Sequence, residues 1–220
     1  MKSIYDDPIT IKTVVYTAEN ILKIVFPYFC FIQRDLYADI LVYLICILVI
    51  IRQLKPTFTS QFFALLIYNE YFQNIVFTIP YYFFGQKGII YYSIFAIHFS
   101  VGIADYIYLS QKAPYKLFKN VTDYIRSNKQ QIMLLKNFVE VLLLVVEIVF
   151  VVTDIRQLII VVFYCNFLRI KYYFNENLLK VISLIDTFFQ DNFEKPDSPR
   201  ILRYFLKFVR MIVHRLRIKY

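Results

Sequence analysis

The chain alternates long apolar runs with short polar breaks. Its opening "DDPITIKTVVYTAENILKIVF" pairs Asp7, a helix N-cap, with Pro8 at the first helical position. Apolar residues then recur at Ile11, Val14, Val15, Ala18, Ile21, Leu22 and Val25. That is the period of a helix with one oily face. The spacing predicts an amphipathic helix lying in a membrane interface and ending near Pro27. Five longer runs follow: 36–54, 62–84, 88–109, 132–152 and 158–174. A membrane-crossing helix needs about 20 apolar residues. The first four meet that length, and the fifth is marginal because it is short and ends in charge. The run 21–32, "ILKIVFPYFCFI", is too short to cross alone. Joined to its neighbour it would add a crossing and move the amino terminus to the other side. "GQKG" at 85–88 allows only a tight turn, so the second and third runs should be antiparallel neighbours.

The pattern therefore predicts an all-α fold: a polytopic transmembrane bundle of about five spans with amphipathic interfacial helices at both termini. Three regions follow from it. Residues 1–34 form the amino-terminal amphipathic helix and its lead-in, 35–173 the bundle, and 174–220 two amphipathic helices with a basic tail.

Composition supports a membrane setting. Of 220 residues, 59% are hydrophobic, with 20 Tyr, 23 Phe and no Trp. Mean hydropathy is +0.53. A soluble domain of this size could not hide that much apolar surface. The formal charge is +9, and it is placed unevenly. The loop "RQLKPTFTS" carries Arg52 and Lys55. The loop at 110–131 carries Lys112, Lys116, Lys119, Arg126 and Lys129 against Asp123. With five spans, both loops and the tail fall on one side, as the positive-inside rule requires. Asn120 opens the sequon "NVT"; on this topology it faces the cytosol and carries no glycan. The first twenty residues lack the long apolar stretch of a signal peptide and hold Asp6, Asp7 and Glu19, unlike a transit peptide.

The tail is the sharpest feature. From Pro199 onward it holds Arg200, Arg203, Lys207, Arg210, Arg215, Arg217 and Lys219, and no acidic residue. Ile201, Leu202, Phe205, Leu206, Val209, Ile212, Val213 and Leu216 share one helical face. Such a helix suits a headgroup boundary, apolar side inward and cations on anionic lipid, each worth roughly 1 kcal/mol. A nucleic-acid arm needs no oily face, so no nucleic-acid partner is expected. An acidic protein partner is the other occupant the cations would fit.

Polar groups also lie inside the oil. Lys136, Glu140 and Glu147 share a face of the fourth run, and Lys136 and Glu140, four apart, can pair along the helix. Asn69, Glu70, Gln73 and Asn74 form a patch in the second run, and His98 and Asp105 lie in the third. A charge at the bilayer centre costs roughly 2.5–3.5 kcal/mol on insertion scales. These residues are read as intramembrane polar contacts between helices or with a partner; a proton or ion path is the competing reading.

Catalytic chemistry has little to stand on. Cys30, Cys46 and Cys165 are isolated in sequence, and His98 and His214 have no carboxylate at ligand spacing. Phosphate-binding loops, dinucleotide fingerprints and nucleophile elbows are absent. The expectation is no enzyme, no catalytic or metal residue and no cofactor, with bound phospholipid, anionic headgroups included, as the ligand.

Four segments carry a family resemblance. "RQLKPTF" resembles a Q-x-x-P-x-F turn, and "FFALLIYNEYFQNIVF" follows it with Glu70 near the matching acidic position. "NKQQIMLLKNFVEVLL" is similar to an N-x-Q-x-I…E helix start, with Glu140 at the Glu. "FYCNFLRIKY" is similar to Y-x-x-F-L-x-x-R-Y, Lys171 standing for Arg and Asn166 for another expected Arg. "EKPDSPRILRYF" resembles a K-P-x-C-P hinge before a basic helix, with Lys195, Pro196 and Pro199 matching and Ser198 in place of Cys. In order and spacing these resemble the transmembrane protein 33 family, which includes the fungal Pom/Per/Tts pore-membrane proteins. The resemblance spans about residues 35–215. It implies a non-enzymatic protein of the endoplasmic reticulum and nuclear envelope. It further implies a role in membrane shape, partners of reticulon or nuclear-pore type, and carboxy-terminal helices that bind curved membrane. The same features fit an accessory structural subunit of a large membrane complex, such as a mitochondrial inner-membrane respiratory assembly, because fold does not fix function.

Overall fold

A computed structural model describes residues 11–32, 35–54, 59–84, 87–110 and 113–193, together with Lys207 and Met211. The described residues form nine helices and no strand. The chain divides into two compact units, Met1–Val139 and Glu140–Tyr220.

The first unit holds α1 (Ile11–Phe31), α2 (Asp35–Gln53), α3 (Ser60–Tyr68), α4 (Glu70–Phe84), α5 (Ile89–Ser110) and α6 (Ala113–Ser127). The start of α7 (Lys129–Val151) also belongs to it. The chain has no Trp, and Phe and Tyr build this core. Phe26 of α1 is fully buried, its ring edge-on to Phe99 of α5 at 5.2 Å and near Tyr92 and Phe95. Phe77 and Tyr81 of α4 pack on Tyr91, also of α5. Offset and edge-on rings such as these contribute about 0.5–1.5 kcal/mol per pair beyond area burial.

Contacts fix the direction of the helices. Tyr16, early in α1, meets Tyr106, late in α5, and Arg52, at the end of α2, lies over the Tyr16 ring at 4.6 Å. Late in α1, Phe26 meets Tyr92, early in α5. Hence α1 runs opposite to α5, and the carboxy-terminal ends of α2 and α5 share one end of the unit. The two basic connections therefore emerge from the same end.

The second unit holds the rest of α7, then α8 (Gln157–Phe174) and α9 (Glu176–Phe193). Between α7 and α8, Asp154 accepts from the Arg156 side chain at 3.1 Å and from its backbone N–H at 3.0 Å. Leu178, Val181 and Ile182 are the buried side of α9.

Three expectations change. The helix expected to end near Pro27 continues to Phe31. A proline inside a helix removes one backbone donor, but packing and lipid tolerate it where neighbouring groups re-satisfy the backbone. The second run is not one helix. It breaks at Asn69, whose backbone is extended (φ −72°, ψ 121°) and whose Oδ1 accepts from the N–H groups of Tyr71 and Phe72, capping α4. The resulting pieces of 9 and 15 residues are each too short to span about 30 Å at 1.5 Å per residue. Finally, the segment read as a basic loop forms α6, with a kink at Phe118 (φ −105°, ψ 18°).

By length and composition, two helices among the described residues can cross a membrane: α1, over Lys12–Phe31, and α5, over Ile89–Ser110. The all-α class stands. Of the roughly five expected spans, α5 is the one that meets this test among the described residues, and α1, whose crossing the sequence left open, meets it as well. Asp7, Pro8 and, apart from Lys207 and Met211, the tail lie outside the described residues.

Candidate functional site

The polar residues inside the helices are drawn into buried ion pairs. In the first unit, Glu19 of α1 is fully buried and holds Lys23 Nζ at 2.8 Å, one turn along the same helix. Arg52 reaches Glu19 from α2 with two bonds, Nε to Oε2 at 2.8 Å and Nη2 to Oε1 at 3.0 Å. An Arg fork on a carboxylate is the strong form of this contact. Gly102 of α5 makes room for the lysine: a Cβ there would lie 2.8 Å from Lys23 Nζ. With only three glycines in the chain, this one sits where a buried amine needs space.

A second cluster forms where α4 begins. Lys136 of α7, fully buried, donates to Glu70 Oε1. His98 Nδ1 of α5 lies 3.8 Å from the same oxygen, and the His98 ring stands edge-on to Tyr71 at 4.7 Å. Gln73 is buried and donates through Nε2 to the Ile67 carbonyl at 3.0 Å, tying α4 back to α3. At the far end of the unit Lys87 donates to Asp39 of α2. Nearby, Pro27, Cys30, Asp35, Gly88 and Tyr92 line an open cleft.

In the second unit, Lys171 of α8 donates to both carboxylate oxygens of Glu140, each at 2.6 Å. Both side chains are buried. One helical face of α8 adds Tyr164, whose hydroxyl donates to the Glu140 carbonyl at 2.6 Å, and Phe167, whose ring lies 5.9 Å from Lys171 Nζ. Tyr164, Phe167, Leu168 and Lys171 stand in the motif Y-x-x-F-L-x-x-R-Y. Two motif segments distant in sequence thus meet on one ion pair.

Of the intramembrane residues expected from sequence, buried Lys136 pairs with half-buried Glu70, Glu140 enters a buried pair, Gln73 makes a backbone bond, and Glu147 is buried on α7. The sequence pointed to Lys136 and Glu140 pairing along α7; in the structure Lys136 takes Glu70 of α4 and Glu140 takes Lys171 of α8. Sequence reasoning missed Glu19, Lys23 and Arg52. The signal was available in the i, i+4 spacing of Glu19 and Lys23 within an apolar helix. Of the expected tail residues, Lys207 is helical and exposed. The other tail cations, Arg200, Arg203, Arg210, Arg215, Arg217 and Lys219, lie outside the described residues, as does the apolar face from Ile201 to Leu216.

Chemically, these clusters neutralise charge inside apolar helices. Breaking such a pair costs roughly 3–5 kcal/mol, because it leaves one charge buried and alone. They fix which helices pack together, and in what register. Among the described residues, no three His, Cys, Asp or Glu side chains converge as metal ligands.

Neither a curated protein nor a solved structure matches the chain. The family model described as Transmembrane protein 33/Nucleoporin POM33 matches residues 9–218, nearly its whole length. Glu70, Glu140 and the α8 motif, on which the resemblance rested, all lie within that match, and the chain belongs to the Transmembrane protein 33/Nucleoporin POM33 family.

Proposed function

We propose that this chain is a non-enzymatic integral membrane protein that shapes or scaffolds the membrane of the endoplasmic reticulum and nuclear envelope. Beside family membership, the observation that carries this reading is α9. Its Leu178, Val181 and Ile182 are buried, while Leu179, Leu184 and Phe188 are exposed. One apolar side belongs to the unit, and the other needs a medium of its own. Lipid supplies it. The chain then passes through "KPDSP" into the basic, oily tail. Two such helices laid in one leaflet expand it and bend the bilayer. Their cations hold anionic phospholipid.

In this reading the end of the first unit bearing Arg52 and α6 faces the cytoplasm. The amino terminus, at the same end as Tyr16, lies there too. The buried pairs make the bundle a fixed platform for the curving helices and for membrane partners of reticulon or nuclear-pore type.

The test is reconstitution of the full chain into anionic liposomes, followed by electron microscopy. Tubules are expected with the native protein, and far fewer when Arg200, Arg203, Lys207 and Arg210 are replaced by Gln. Vesicles that stay spherical with the native chain would overturn the shaping role. Stoichiometric migration with respiratory subunits on a native gel would replace it with an accessory-subunit role.

A further inference from the structure

The segment between α5 and α7 carries a second lipid-facing surface, separate from the tail. α5 is 22 residues long, about 33 Å at 1.5 Å per residue, which matches a hydrocarbon core of about 30 Å. Its last turns therefore reach headgroup depth, and α6 starts three residues after α5 ends. In an antiparallel hairpin, Arg126 would face the middle of α5. Instead its Nε bonds Asp105 Oδ1 at 3.2 Å, and its guanidinium lies 3.4 Å from the centre of the Tyr108 ring. Near the other end of α6, Tyr115 meets the same Tyr108 ring at 5.5 Å. Both ends of α6 are thus pinned to the final turns of α5, and the helix stays at that depth.

Its outward surface carries an apolar stripe beside the exposed Asn120. Leu117 is 77% exposed, Phe118 49%, Val121 58% and Tyr124 67%. Exposed Lys116 and Lys119 flank them. The same end carries α3, which has no buried residue and exposes Phe63, Leu65 and Ile67. Asn69, which closes α3, bonds Gln53 at the end of α2 at 2.9 Å. An apolar medium is thus already required at this level.

We propose that α6 is an interfacial helix. Leu117, Phe118, Val121 and Tyr124 enter the boundary between headgroups and acyl chains of an anionic leaflet, and Lys116 and Lys119 meet lipid phosphates. The inference rests on the chain being an integral membrane protein, but not on the tail or on curvature.

The absence of Trp in the chain gives a clean test. Leu117→Trp, Val121→Trp and, as the polar-side reporter, Lys116→Trp are each made in the full chain. Each is placed in liposomes of phosphatidylcholine and phosphatidylserine carrying bromines high or low on the acyl chain. Leu117→Trp and Val121→Trp should emit to the blue and be quenched more by shallow than by deep bromines, and Lys116→Trp should be quenched less. The quenching should weaken without phosphatidylserine, and Lys116→Gln with Lys119→Gln should remove that dependence. Three results would overturn the proposal. Water-like emission would leave the face in solvent. Blue emission without bromine quenching would mean a protein covers it. Stronger quenching by deep bromines would make α6 part of a span. Because the reporter is local, it reads α6 even where the tail fails to bend liposomes.

Discussion

Lys171 sits between the two oxygens of Glu140, and its value to the fold follows from its burial. Lys171→Met should lower stability by roughly 3–5 kcal/mol, since it takes the amine from both oxygens of a buried carboxylate. Lys171→Arg should stay within about 1 kcal/mol of the native protein, because a guanidinium fork fits a carboxylate at least as well. Thermal melts in mild detergent measure both; equal melting temperatures for Met and Arg would remove the pair from the fold's stability. At this scale the sequence was half legible. Glu70, Lys136 and Glu140 stood out because charge inside an apolar run is costly. The pairing of Glu70 with Lys136, and of Glu140 with Lys171, did not. Lys171 lies near the end of a run, where snorkelling to water is the simpler reading. Glu19 sits on a helix that the pattern placed at the surface. Pairing across helices is a property of packing, and periodicity along one helix does not contain it.

Among the elements, the polar breaks matter more than the apolar lengths. Asn69 splits what reads as one 23-residue run, because its side chain caps α4 and its amide reaches Gln53. Asn69→Ala should cost about 0.5–2 kcal/mol, the usual loss of an N-cap; hydrogen exchange at Tyr71 and Phe72 should rise first. The turn before α8 responds to acid. The Asp154 carboxyl is held below the usual carboxylate range by hydrogen bonds from the Arg156 side chain and backbone. A lowered folded pKa stabilises fully above the unfolded value, near pH 4, and that stabilisation is lost as pH falls through the folded one. The melting difference between the native chain and Asp154→Asn should therefore be present at pH 7 and vanish in strong acid. A difference that persists there would detach Asp154 from the turn. α6 was overlooked in sequence because its lysines outweigh its apolar positions in an average, although Leu117, Phe118, Val121 and Tyr124 recur at helical spacing.

For the whole molecule, the shared end of α2 and α5 turns a charge count into an orientation. Arg52 and α6 emerge together, and Asn120 is exposed on α6. Expressed in cells that glycosylate, the chain should carry no glycan at Asn120, read as no mobility shift on glycosidase treatment; a shift would reverse the orientation. The all-α class and family were legible from runs and motif order. The number of crossings was not, because a run's length does not reveal a cap within it. The bond between Glu140 and Lys171 also bears on biogenesis. Glu140 is made 31 residues before Lys171. The pair cannot form until most of α8 has been translated, so the second unit should close late, well after α7 is complete.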